Sequence, residues 1–265
     1  MAEHHERSYT AITEMPGSLV TEEQRARLRH RYALARSHAA GRRVLEVACG
    51  AGLGLAAVRE TAAWLVGGDY TTDALDAAQA HYRGAVPLVR LDAQRLPFAD
   101  GSFDLVLCFE AIYYFPRPIE FLAECHRVLA ADGLLLIGSE NKAWPHFVPG
   151  PLSVAYYATA ELAALLAQAG FVAVEALGAF PVEHLSPRQR ARAWLRRGVM
   201  ATGLFRRWPW ARERLKPLVY RDLQPLSYDL AQQPWGPLPV HPLDPQADNR
   251  EFKVIYALAR RGPRC

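Results

Sequence analysis

Short apolar runs alternate with polar, helix-compatible stretches through the middle of this chain. The first, Val44-Leu-Glu-Val47, passes into Ala48-Cys-Gly-Ala-Gly-Leu-Gly54. A run of that kind predicts a buried strand that leaves a sheet and turns tightly, through glycine, into a helix. Trp64 to Asp69 reads as a second strand, Val86 to Asp92 as a third, and Ser102 to Phe115 as the fourth element. Arg117 to Ala130 has the spacing of an amphipathic helix. The turn Ala131-Asp132-Gly133 then leads into a fifth strand, Gly133 to Gly138. Phe171 to Leu177 and Glu251 to Leu258 read as the sixth and last strands, and Thr21 to Ala39 as an N-terminal helix.

The polar residues at the ends of these runs carry the candidate chemistry. Gly50-Ala-Gly52 fits the first half of the dinucleotide fingerprint G-x-G-x-x-G, but Leu55 occupies its third glycine position. Glu46, inside the first strand, would repel a pyrophosphate and suits a cationic group such as an ammonium. Asp69 closes the second strand, where an acid in nucleoside-binding α/β proteins accepts both ribose hydroxyls. Its alternative is a helix N-cap, a part that Thr71 or Thr72 could also play.

Glu46, Gly50, Gly52 and Gly54, with Ala48 and Cys49 before the first glycine, resemble motif I of the class I S-adenosylmethionine-dependent methyltransferases. Leu96 to Asp104 resembles the L-P-F-x-D-x-S-F-D segment of the small-molecule branch that includes the ubiquinone and menaquinone methyltransferases. Glu124-Cys-His-Arg-Val-Leu-Ala-Ala-Asp-Gly133 is similar to the same family's E-x-x-R-V-L-x-x-G-G signature in all but one glycine. The resemblance covers residues 40 to 178. It implies a Rossmann-like, doubly wound α/β sheet of seven strands, the last antiparallel, with S-adenosyl-L-methionine as cofactor. The implied cofactor-binding residues are Glu46, Ala48, Gly50, Gly52, Asp69, Tyr70, Asp92, Ala93 and Phe109, with Asp92 facing the adenine amine and Ala93 offering its backbone N–H.

Composition fits a single globular enzyme: of 265 residues, 51% are hydrophobic and 22% charged, enough for a large core. No apolar run is long enough for a transmembrane helix, and Met1 to Ser8 lacks an apolar signal core. Cys49, Cys108, Cys125 and Cys265 show no metal or disulfide spacing, so the expectation is a reduced, cytoplasmic, metal-free protein. The formal charge of +4 is unevenly spread. Residues 187–217 hold ten basic residues against one acid, with Trp194, Trp208 and Trp210 among them. Such a segment suits an anionic membrane surface or an anionic ligand, with a solvated basic face as the plain alternative. Nucleic acid is disfavoured, because no binding motif accompanies the charge.

The expected organisation is an N-terminal helical cap (1–40), a cofactor-binding core (41–178), a basic helical lid with a Pro-rich strap (179–250), and the last strand with a tail (251–265). A parallel sixth strand ends at the carboxyl edge of the sheet, so the long insert should emerge where ligands bind. Tyr9 and Tyr32 are candidates to touch cofactor or substrate, or to pack. Candidate catalytic residues are Glu110, His146 and Tyr113, with Glu110 or His146 as a base. Tyr114, Trp144, Phe147, Tyr156 and Tyr157 should complete an aromatic rim, with Glu140, Asn141 and Lys142 at the end of the fifth strand. The reading is methyl transfer to a small-molecule or lipid-linked acceptor, first an O-methylated glycan or specialised metabolite, then N- or C-methylation. A non-catalytic S-adenosylmethionine-binding subunit and an aminopropyl- or carboxyl-transferring relative are the rivals.

Overall fold

The computed structural model describes residues 9, 12–182, 222–229 and 239–263. In chain order the elements are β1 (Leu19–Val20), α1 (Glu22–Ala39), β2 (Arg43–Val47), α2 (Leu55–Arg59), β3 (Trp64–Asp69), α3 (Thr72–Tyr82) and β4 (Leu88–Arg90). They continue with β5 (Phe103–Phe109), α4 (Pro118–Val128), β6 (Leu129–Glu140), α5 (Thr159–Gln168), β7 (Phe171–Pro181), β8 (Gln224–Pro225), β9 (His241–Leu243) and β10 (Phe252–Arg261).

The main sheet runs β4-β3-β2-β5-β6-β10-β7-β9. Strands β4 through β6 are mutually parallel, and β10 inserts antiparallel between β6 and β7. The apolar runs are continuous because both faces of the sheet are covered. Val44, Leu105, Leu107 and Leu136 pack on one side with α1 and α2, and Leu45, Val106, Leu135 and Ile137 on the other with α4 and α5.

Four details differ from the sequence reading. The sheet has eight strands, because His241–Leu243 of the Pro-rich strap adds an edge strand beside β7. The expected turn at Ala131-Asp132-Gly133 lies within β6. Asp132 adopts φ 59°, and the register to β5 shifts near there, so the extra backbone is absorbed as an irregularity of the strand. The third strand shrinks to Leu88–Arg90, because Asp92 turns the chain by accepting the Gln94 backbone N–H at 2.9 Å. The sixth strand extends to Pro181, carried by its ladder with β10, so the insert starts later than residue 179. The basic segment 187–217 lies outside the described residues.

α1 begins where the sequence indicates. Thr21 Oγ1 accepts the Gln24 N–H at 3.3 Å, and Gln24 Oε1 accepts the Thr21 N–H at 3.0 Å, a reciprocal capping box. This helix packs on the face of the sheet that it shares with α2, and its residues 24–32 reach the carboxyl edge. A two-stranded sheet of β1 and β8 ties the chain before α1 to the insert.

Candidate active site at the carboxyl edge of the sheet

The carboxyl ends of β2, β3, β5 and β6, the glycine loop after β2, and α1 enclose a cavity of about 960 Å³. Its lining includes Glu46, Ala48, Gly50, Asp69, Tyr70, Asp92, Ala93 and Phe109, together with Glu110 and Tyr113. Sequence-predicted residues from four separate segments are thus brought together.

Glu46 is buried within β2, and its Oε1 accepts the Tyr32 hydroxyl at 2.6 Å. Its Oε2 is buried without a hydrogen-bond partner. Burial raises the Glu46 carboxyl to about 7, against the Tyr32 hydrogen bond and the nearby Arg31 charge, which lower it. Arg31, also buried, pairs with Glu14 and lies over the Tyr32 ring at 5.5 Å, and its Nε is likewise buried without a partner. An orphaned carboxylate oxygen and an orphaned guanidinium N–H beside one tyrosine match the ammonium and carboxylate of a zwitterionic amino acid. Unpaired buried polar groups are costly, so a ligand that satisfies both is favoured. The residues present therefore fit the amino-acid end of S-adenosylmethionine.

Asp69 is partly committed to backbone. Its Oδ2 accepts the Gly50 N–H at 2.7 Å and its Oδ1 the Thr71 N–H at 2.8 Å. A carboxylate has about four lone-pair sites, so both oxygens retain capacity for ribose hydroxyls. The helix after β3 has Thr71 as its N-cap residue, and no side chain caps it. Tyr70 is exposed at the rim, facing Tyr9 edge-on at 6.4 Å.

On the other side of the cavity, Glu110 Oε2 accepts the Tyr113 hydroxyl at 3.0 Å. Burial raises the Glu110 carboxyl, while Arg31 and Arg27 pull it down. Glu140, at the end of β6 and 3.7 Å from Arg27, is raised to about 7, by burial first and then by the Glu110 charge. Ala48 (φ 60°) and Glu110 (φ 50°) both sit in the left-handed region, directly after β2 and β5. Such backbone is strained for non-glycine residues and concentrates at functional sites. Here it turns the chain out of the sheet at the cavity wall.

Of the predicted catalytic and cofactor-binding residues, Gly52 and His146 do not line the cavity. Gly52 faces away from it: a Cβ there would meet Leu55 Cδ1 at 2.9 Å and Tyr82 Cε2 at 3.0 Å, and its φ is +73°. Glycine is required at 52 for backbone conformation and for packing on α3. Gly54 is likewise a packing glycine, since a Cβ would lie 2.1 Å from the Tyr32 ring. His146 packs beside Trp144 at 6.0 Å. The loop after β6 turns towards α5, where Lys142 pairs with Glu161 at 2.5 Å, and carries His146 off the cavity wall.

The aromatic rim is two layers deep. Tyr113 and Tyr114 line the cavity, and Tyr156 stacks behind Tyr113 at 4.1 Å with Phe147 behind it at 4.7 Å. Trp144 and Tyr157 are outside the lining, and Asn141 is a buried clasp whose Nδ2 donates to Asn249 O and Phe252 O. Sequence reasoning missed Gln24, Arg27 and Arg31 of α1 and Glu14 before it, all of which line the cavity. Their signal was present as polar residues at 24, 27 and 31, spaced i, i+3, i+7 along one helix face.

Among known proteins, residues 45–137 match the family described as a methyltransferase domain. Residues 45–137 are thus a methyltransferase domain, similar to those of S-adenosylmethionine-dependent methyltransferases. A probable S-adenosylmethionine-dependent methyltransferase of Mycolicibacterium smegmatis is 35% identical over 150 residues, 53% of this chain and 56% of that protein. A fatty-acid O-methyltransferase of the same organism is 39% identical over 99 residues, 36% of each chain. The chain spans about half the length of the curated relatives it matches first. The crystal structure of the [4+2]-cyclase SpnF superimposes with a TM-score of 0.57 at 20% identity, covering 94% of this chain and 85% of that one. That likeness concerns the fold alone, and fold does not specify reaction. Among the described residues there is no helix long and apolar enough to cross a membrane and no cluster suited to a metal ion. Cys49, Cys108 and Cys125 are buried and free.

Proposed function

We propose that this methyltransferase domain moves the methyl group of S-adenosylmethionine onto a hydroxyl of a small-molecule or lipid-linked acceptor, a glycan or specialised metabolite in the first instance. The observation that carries the reading is the single cavity that joins the glycine-loop residues to the Glu110–Tyr113 pair. In this reading Glu46 and Arg31 hold the ends of the cofactor's amino acid, Asp69 its ribose, and Asp92 with Ala93 its adenine. The cofactor supplies a sulfonium-activated methyl group. Glu110 accepts the acceptor hydroxyl's proton as the new oxygen–carbon bond forms, and Tyr113 orients the Glu110 carboxylate. A carboxylate raised by burial is closer in pKa to the operating pH, where a general base is most effective. Alignment of the acceptor by the Tyr113–Tyr114 wall and Arg27 of α1 supplies the remainder of the rate.

An N-methylated amine is the second reading, favoured by the acids Glu14, Glu110 and Glu140 on the acceptor side of the cavity. Incubation of the pure protein with S-adenosylmethionine and matched hydroxyl and amine acceptors distinguishes the two. The proposal expects S-adenosylhomocysteine and an O-methyl product with a hydroxyl acceptor. Product formation with amines alone would favour the second reading. Tight S-adenosylmethionine binding without turnover on any acceptor class would favour a binding subunit.

A further inference from the structure

The glycine loop is gripped from two sides. On the cavity side Asp69 Oδ2 accepts the Gly50 N–H at 2.7 Å. On the far side two consecutive carbonyls point away from the cavity into tyrosine hydroxyls. Tyr82, from the last turn of α3, donates to Gly52 O at 2.6 Å. Tyr228 donates to Ala51 O at 3.0 Å, with Ala77 O of α3 also within reach at 3.2 Å.

Tyr82 belongs to the cofactor-binding core, but Tyr228 does not. It lies in residues 222–229, one of two described stretches of the insert between β7 and β10. Its ring stacks on His81 with centroids 3.5 Å apart and 3° between planes, and meets the Tyr82 ring edge-on at 6.0 Å. Just before it, β8 pairs with β1, and Leu226 exchanges backbone hydrogen bonds with the same segment. Gly17 N donates to Leu226 O at 2.8 Å, and Leu226 N donates to Ser18 O at 2.9 Å. Leu226 itself is buried in the core.

We infer that Tyr228 is a positioning residue for the cofactor, through which the insert holds the glycine loop in its binding geometry. The physical argument is one of preorganisation. Ala51 is fully buried, so its carbonyl has no bulk water to turn to if the tyrosine hydroxyl is removed. The loop would then relax to satisfy that carbonyl, and its relaxation moves the neighbouring Gly50, whose N–H makes the Asp69 contact that shapes the ribose side of the cavity. Binding must afterwards restore the loop, and that ordering cost appears as lost affinity.

The inference rests on the cofactor reading above, and the test keeps the two apart. Calorimetric titration of S-adenosylhomocysteine into the full chain and into Tyr228→Phe is the direct measurement. Phenylalanine keeps the stacking on His81 and removes only the hydroxyl. The expected result is a Kd raised by several-fold to about tenfold, the range of a single hydrogen bond to a buried carbonyl. Tm should fall by no more than about 4 °C. Leu162→Ala, in α5 on the opposite face of the sheet, controls for general destabilisation and should lower Tm with Kd unchanged. An unchanged Kd in Tyr228→Phe, or an equal rise in Leu162→Ala, would overturn the inference and leave the cofactor reading standing. Absence of binding by the unaltered chain would overturn both.

Discussion

Glu110→Gln is expected to lower turnover by about 10²–10⁴ while leaving the affinity for S-adenosylhomocysteine within about twofold, the loss typical of a removed general base. The expectation follows from where the residue sits. β5 ends at Phe109, and the Glu110 N–H donates to Gly138 O of β6 at 2.8 Å, so the backbone is pinned between two central strands. The strained φ of 50° then directs the side chain to the acceptor side, where the Tyr113 hydroxyl fixes one oxygen. Glutamine is close to isosteric and keeps an acceptor for Tyr113, so the fold and the cofactor half are spared. A pH profile adds a second readout. Burial raises the Glu110 carboxyl, so the active, deprotonated form accumulates only above the ordinary carboxylate range. Turnover of the unaltered enzyme should climb with pH through that raised value, and the climb should be missing from the residual activity of Glu110→Gln. Full retention of turnover would leave alignment as the whole of the catalysis.

Gly52→Val is expected to be the most damaging single change in the loop, by a route different from blocking the ligand. Valine at φ +73° carries a left-handed penalty of roughly 1–2 kcal/mol. Its Cβ also needs space already taken by Leu55 and Tyr82, and overpacking of that kind costs about 1–3 kcal/mol more. Together these predict a loss of about 2–5 kcal/mol in stability, or a displaced loop that no longer presents Gly50 to the cavity. Gly84→Val separates the two contributions, because Gly84 has φ +86° and nothing within 4 Å of an added Cβ. Thermal denaturation should show a Tm fall in Gly84→Val that Gly52→Val clearly exceeds. Equal falls would mean that backbone strain alone explains the position.

The part of the cavity proposed for the cofactor was legible as a cluster because its acids sit at fixed distances along parallel strands. Glu46 lies within its apolar run and Asp69 and Asp92 close theirs, and a doubly wound sheet brings the carboxyl ends of such runs to one edge. The central strands were equally plain, since burial on both faces leaves continuous apolar runs. The other contributions to the cavity were less legible. Arg27 and Arg31 reach it from α1, whose polar stripe looks on the sequence like a solvated face. His146 looked as well placed as Glu110, yet the ion pair of Lys142 with Glu161 follows from a loop path that no periodicity encodes. Gly52 illustrates a different limit. A glycine motif indicates where backbone must bend, but whether each glycine faces ligand or neighbouring helix depends on packing across the loop. The strap strands β8 and β9 are two and three residues long, and their pairing with β1 and β7 is decided by tertiary contact rather than by local pattern.

The central claim is that the cavity at the carboxyl edge binds S-adenosylmethionine with Asp69 on its ribose. Calorimetric titration of S-adenosylhomocysteine into the unaltered chain and into Asp69→Ala tests it most directly. The account predicts one site per chain, and binding weakened in the variant by about 1–3 kcal/mol, the cost of leaving ligand hydroxyls and the Gly50 N–H without their acceptor. Equal affinity in the two proteins, or no binding by either, would contradict it.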